Sequence, residues 1–199
     1  MNKVVLYIHG KNGSPDESEH YRTLFRDYDV IGLDYKTFTP WDTGKEIHSK
    51  VEILKEEYSE IILIANSIGA FFCLHADLNS QISKAYFISP LVDMEGLICK
   101  MMSWANVTEA QLEKEKIIHT DFGEELSWDY LCYVREHSEK WSVPTHILYG
   151  SKDNIVSEES LKAFSKQTSA SLTVMRNGEH WFHTEEQMKF LDDWIRGHS

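Results

Sequence analysis

Apolar residues fall along this chain in short unbroken runs, separated by longer stretches in which they recur every three or four positions. Residues 4–8 (VVLYI), 61–65 (IILIA) and 85–88 (AYFI) are such runs, and 30–33 (VIGL), 146–149 (HILY) and 172–175 (LTVM) are strand-like stretches interrupted only by Gly32, His146 and Thr173. A strand that is apolar at consecutive positions is buried on both faces, as in a parallel sheet covered by helices. Between the runs, Tyr21, Leu24, Phe25 and Tyr28 form one helical stripe, and Ile47, Val51, Leu54 and Tyr58 a second. Leu161 with Phe164, and Met188, Leu191, Trp194 and Ile195, continue the pattern. Ser14-Pro15-Asp16-Glu17, Thr43 with Glu46, and Thr184 with Gln187 have the spacing of capping boxes and predict where three of the helices start.

Strands alternating with helices predict an α/β fold: three layers, α/β/α, around a mainly parallel sheet of about six strands with right-handed crossovers. The alternation pauses over residues 91–142. Here only helical spacing is visible, with Leu97, Ile98, Met101 and Ala105 on one stripe and Leu126, Tyr130, Tyr133 and Val134 on another. This segment is expected to be a helical cap inserted into a single domain spanning residues 1–199, above the carboxyl ends of the strands where open α/β sheets bind ligands. Met101, Met102 and Trp104 either line a pocket for an apolar group or pack against neighbouring elements, and the spacing fits both.

A chain of 199 residues with 42% hydrophobic and 26% charged residues suits one folded domain. Its net charge of -12 argues against nucleic acid and anionic membrane surfaces, since phosphate contacts need clustered Lys and Arg. No apolar run approaches the length of a membrane span or a signal segment, so a soluble cytoplasmic protein is expected. Cys73, Cys99 and Cys132 lack metal-ligand spacing and lie in apolar stretches, which predicts buried free thiols in a reducing compartment.

Three features fall where strands end. Ala65-Asn66-Ser67-Ile68-Gly69 joins the strongest strand directly to a helix. A serine on so sharp a turn has its hydroxyl pushed into the open, beside backbone N–H groups at the helix start. Gly150-Ser151-Lys152-Asp153 follows another strand, and Asn177-Gly178-Glu179-His180 follows the last. A serine hydroxyl is a weak nucleophile until a base removes its proton. Imidazole, with an ordinary pKa of about 6.5, suits that task near neutral pH, and a carboxylate fixes its tautomer. Each residue also has a plainer reading: Ser67 as an N-cap, Asp153 as a turn residue, and His183 as a rival to His180. The remaining histidines show no ligand spacing, and neither a metal site nor a cofactor is expected.

Taken in order, His9-Gly10, the Ser67 turn, and the Asp153 and His180 loops resemble the α/β-hydrolase superfamily in its compact esterase- and lipase-like form, over essentially the whole chain. The resemblance implies Ser67 as nucleophile, His180 as general base and Asp153 as the orienting acid. It also implies an oxyanion hole from the backbone N–H groups of Lys11 and Ile68, with His9 supporting that loop. Ala65 stands where the usual elbow has glycine. The implied activity is hydrolysis of a small carboxylic ester or thioester, with a small-molecule acyl substrate as partner. Acyl transfer, amide or C–C bond cleavage by the same triad, and a non-catalytic binding protein on the same fold remain open, as does the oligomeric state.

Overall fold

The computed structural model describes residues 2–138 and 140–198. In chain order the elements are β1 (Lys3–Ile8), a 3-10 helix (Pro15–Thr23), β2 (Asp29–Gly32), α1 (Pro40–Glu57), β3 (Glu60–Asn66), α2 (Ile68–Leu74) and β4 (Lys84–Ile88). There follow α3 (Met94–Trp104), α4 (Glu109–Glu115), β5 (Ile117–His119), β6 (Glu125–Ser127) and α5 (Trp128–Glu136). The chain then forms β7 (Thr145–Gly150), α6 (Glu158–Thr168), β8 (Ser171–Met175) and α7 (Glu185–His198). Two compact units result: residues up to Val92 together with those from Trp141 onward, and Asp93–Lys140.

The first unit is built on a six-stranded, wholly parallel sheet in the order β2-β1-β3-β4-β7-β8. The chain moves outward from β1 to β2, then returns to the other side of β1 and continues away from it. The reversal leaves the carboxyl ends of β1 and β3, where Ile8 is paired with Ala65, without a crossover between them. One face of the sheet, with Val5, Tyr7, Ile64, Tyr86 and Ile88, packs against Tyr21 and Phe25 and against Leu191, Trp194 and Ile195 of α7. The alternate positions Val4, Leu6, Ile8 and Leu63 are fully buried on the other face, where α1 and α2 contact β3 and each other. Burial on both faces explains why β1, β3 and β4 read as apolar runs, while the edge strands β2 and β8 are only partly buried.

Helix starts depart from expectation in instructive ways. Ser14 Oγ accepts from the Asp16 N–H, but Glu17 does not close the box; its Oε2 accepts from the Tyr7 hydroxyl at 2.5 Å. Helix α1 starts a turn before Thr43, at Pro40, with Thr39 as its cap. Glu46 instead takes the N–H groups of Lys36 (2.9 Å) and Thr37 (3.0 Å), tying the preceding loop to the helix. Before α7, Thr184 Oγ1 does accept from the Gln187 N–H at 3.3 Å, as the spacing predicts.

The second unit corrects the expectation of helices alone. Between α4 and α5 lies an antiparallel hairpin in which Ile118 pairs with Leu126. Leu126 is therefore a strand residue, and Leu131 is the buried position of α5. Helix α3 buries Met94, Ile98 and Met102, so Met102 packs inward while Trp104 stays 55% exposed. Arg135 fastens the unit's charged side, with Nε 2.6 Å from Glu95 and Nη2 2.7 Å from Glu109.

The cysteines differ from expectation in one respect. Cys73 is buried, Cys132 is half-buried, and Cys99 is exposed because it faces away from the inward stripe of α3. Among the described residues no helix is long and apolar enough to cross a membrane.

Candidate active site

Ser67 occupies the single residue between β3 and α2, with φ 52° and ψ -121°. A side chain other than glycine is strained in this region, so the surroundings must hold it there. They do so through the backbone: the Ser67 N–H donates to the Ile88 carbonyl (3.0 Å), and its carbonyl accepts from Leu91 (3.1 Å) and Ala70 (3.2 Å). Close packing explains the small neighbours. A Cβ on Gly69 would stand 2.4 Å from the His9 carbonyl oxygen, whereas the Ala65 methyl is accommodated, fully buried, at the end of β3. Ser67 makes no side-chain cap on α2, which leaves its hydroxyl available.

That hydroxyl lies 2.8 Å from His180 Nε2. His180 Nδ1 lies 2.6 Å from Asp153 Oδ2, and the Asp153 side chain is fully buried while the imidazole is 17% exposed. A carboxylate only accepts, so Nδ1 carries the proton and Nε2 is left to accept from Ser67. Asp153 Oδ1 is occupied too, taking the N–H groups of Ile155 (2.8 Å) and Val156 (2.9 Å). These two donors, which sequence spacing did not reveal, fix the carboxylate plane that the histidine meets. Asp at the head of such a turn is a known donor-gathering arrangement, and that signal was present in the residues following Asp153.

The loops bearing Asp153 and His180 are sewn together. Ser151 N–H donates to the Met175 carbonyl (3.0 Å), Lys152 N–H to the Gly178 carbonyl (2.7 Å), and Asn177 N–H to Ser151 Oγ (2.8 Å). His183 is not the partner of Ser67; its Nδ1 donates to the Trp181 carbonyl at 2.7 Å and its ring stacks on Trp181.

The loop after β1 lies against the serine, for a Cβ on Gly10 would stand 3.2 Å from Ser67 Cβ. His9 is buried, stacked on Tyr35 with centroids 4.2 Å apart, and its Nδ1 donates to the Gly10 carbonyl at 2.8 Å. The Tyr35 hydroxyl in turn donates to the His9 carbonyl at 2.9 Å. Lys11 follows Gly10 in this braced loop with its side chain exposed, and Ile68 opens α2 directly after Ser67.

A parallel sheet in this strand order, with a strained serine at its switch point and a histidine and carboxylate from later strand ends, settles the architecture. The fold is that of the α/β-hydrolases. No family model and no curated protein matches the sequence. Solved structures with the α/β-hydrolase fold do match. Est1E from Butyrivibrio proteoclasticus superimposes with a TM-score of 0.76 at 18% identity, over 99% of this chain and 86% of its own. Alpha/beta hydrolase domain-containing protein 10 from mouse gives 0.67 at 17% identity, over 98% and 90%. An esterase from Pyrococcus furiosus gives 0.63 at 19% identity, over 98% and 79%.

Proposed function

We propose that the protein is a serine hydrolase that cleaves a small carboxylic ester or thioester through an acyl-enzyme on Ser67. The observation that carries this reading is the hydrogen-bonded line from Ser67 Oγ through His180 to Asp153, at 2.8 and 2.6 Å, assembled from three separate loops. The Pyrococcus furiosus esterase among the structural neighbours supports it.

In the first half-reaction Ser67 Oγ attacks the substrate carbonyl carbon while His180 Nε2 takes the hydroxyl proton. The carbonyl π pair moves to its oxygen, which receives hydrogen bonds from the N–H groups of Lys11 and Ile68. Collapse of this intermediate breaks the bond to the leaving oxygen or sulfur, and His180 returns the proton to it. Water then repeats the sequence against the acyl-enzyme, releasing the acid and regenerating Ser67. Asp153 keeps the imidazole in the productive tautomer and stabilises it when it is cationic. Losing one oxyanion donor in such a site costs about 3 kcal/mol of transition-state stabilisation.

A fluorophosphonate probe tests the assignment. The wild type should be labelled and should hydrolyse short p-nitrophenyl esters, while Ser67→Ala should do neither. Labelling that persists in Ser67→Ala removes the serine from its role.

A further inference from the structure

A cavity of about 450 Å³ opens in the first unit, lined by chain neighbours of Ser67 and His180 rather than by those two residues themselves. Its position is set by chain neighbours of the reacting groups: Asn66 precedes Ser67, and Trp181 and His183 follow His180 by one and three residues. The size suits a small ligand or part of one. Its depth is apolar, lined by Ile88, Leu191 and Phe182. Its polar wall carries Glu17, and no lysine or arginine lines it among the described residues.

Glu17 is what makes the cavity specific. Its hydrogen-bond partner is the Tyr7 hydroxyl at 2.5 Å, a neutral donor that orients the carboxylate without cancelling its charge. Burial first, then neighbouring Tyr21 and Glu17, holds that phenol protonated far above the usual range, so it remains a donor. Glu17 also reaches the loop after β1: a Cβ on Gly13 would stand 3.1 Å from its Oε1. Trp181 lines the same cavity, 65% exposed although large and apolar, with its ring stacked on His183 at 4.7 Å. Asn66, His183 and His20 also line the cavity, His20 with its Nε2 2.7 Å from Asp192 Oδ1. A carboxylate and an indole in a hollow that, among the described residues, no lysine or arginine lines favour a cation, the one through charge and the other through its ring face. An anion would meet repulsion from Glu17, and a plain hydrocarbon would leave it unused.

We infer that this cavity receives an apolar stem of a few carbons ending in an ammonium group, and that the natural substrate carries such a chain. The link to substrate rests on Ser67 being the nucleophile, whereas the cation site stands on the cavity itself.

The probes are pentylammonium, pentanol and pentanoate, with binding read by calorimetry and by the NMR shift of the Trp181 indole N–H, assigned with Trp181→Phe. Pentylammonium should bind at least about tenfold more tightly than pentanol and should move the Trp181 signal, with pentanoate weakest. Glu17→Gln, which keeps an acceptor for Tyr7, should bring ammonium and alcohol within about twofold of each other. Trp181→Ala, at an exposed position, should cut ammonium affinity by about fivefold. Equal binding of ammonium and alcohol, or a preference that survives Glu17→Gln, overturns the site. Pentylammonium should also slow fluorophosphonate labelling of Ser67. Ammonium binding to a protein that takes no label sinks the nucleophile assignment alone, and labelling without ammonium preference sinks the cation site alone.

Discussion

Gly150 and Gly178 meet backbone against backbone: a methyl group on Gly150 would stand 2.4 Å from the Gly178 carbonyl carbon. One glycine ends β7 and the other sits in the loop after β8, so their contact sets the spacing between the turns that carry Asp153 and His180. Gly150→Ala should therefore separate Asp153 from His180. The proposed ester hydrolysis should fall by more than the change in urea midpoint explains, with about 1–3 kcal/mol of destabilisation from overpacking. Gly197→Ala, where nothing lies within 4 Å, is the control and should cost no stability.

Asp153→Asn preserves shape and removes charge. The amide would have to present a donor either to His180 Nδ1–H or to the N–H groups of Ile155 and Val156, all of which are donors already. Turnover should fall roughly 10⁴-fold with the circular dichroism spectrum unchanged, as expected when the imidazole loses its working tautomer. A loss of less than tenfold would mean that Asp153 does not orient the base.

Strain at Ser67 should be visible in stability. Glycine accepts φ 52°, ψ -121° without penalty, so Ser67→Gly should be more stable than Ser67→Ala by about 1 kcal/mol in chemical denaturation, both variants being inactive. Equal stabilities would show that the turn holds no strain.

His146 provides a pH dependence. Burial, followed by the charges of His198 and Lys84, pushes its imidazole below the ordinary value of about 6.5. As pH falls below that value the unfolded chain takes up the proton first. The stabilisation is thus fully present above about pH 6.5 and is lost as pH drops through the folded-state value. Thermal midpoints measured from pH 8 to 5 should fall on the acid side, and His146→Gln should make the fall shallower.

Thiol reactivity should follow burial. Burial raises the Cys73 thiol far above its usual range, so it stays protonated and shielded. Brief iodoacetamide treatment of the native protein should modify Cys99 ahead of Cys132 and leave Cys73 intact until denaturant is added, as read by peptide mass spectrometry.

The sheet was legible in the sequence because its central strands β1, β3 and β4 are apolar on consecutive positions, and Ser67, Asp153 and His180 could be named as candidates because each lies just beyond a strand end. Short-range geometry was harder to read. Three-residue strands such as Ile117–His119 and Glu125–Ser127 are too brief to establish a period, so Leu126 passed for part of a helical stripe. Thr43 and Glu46 match a capping box in spacing, yet Pro40 with its preformed φ starts the helix earlier and frees Glu46 for the loop. Tyr7 and Glu17 lie ten residues apart on different elements, so nothing local announced that the second half of an expected cap would instead bond a strand residue.

Between Ser67 and its two partners the chain inserts the whole of Asp93–Lys140 before β7 and β8 are laid down. During ribosomal synthesis Ser67 is therefore made before β7, β8 and the loops that carry Asp153 and His180. On the proposed mechanism, a growing polypeptide stays chemically silent until β7 and β8 have joined the sheet and brought those loops to the serine.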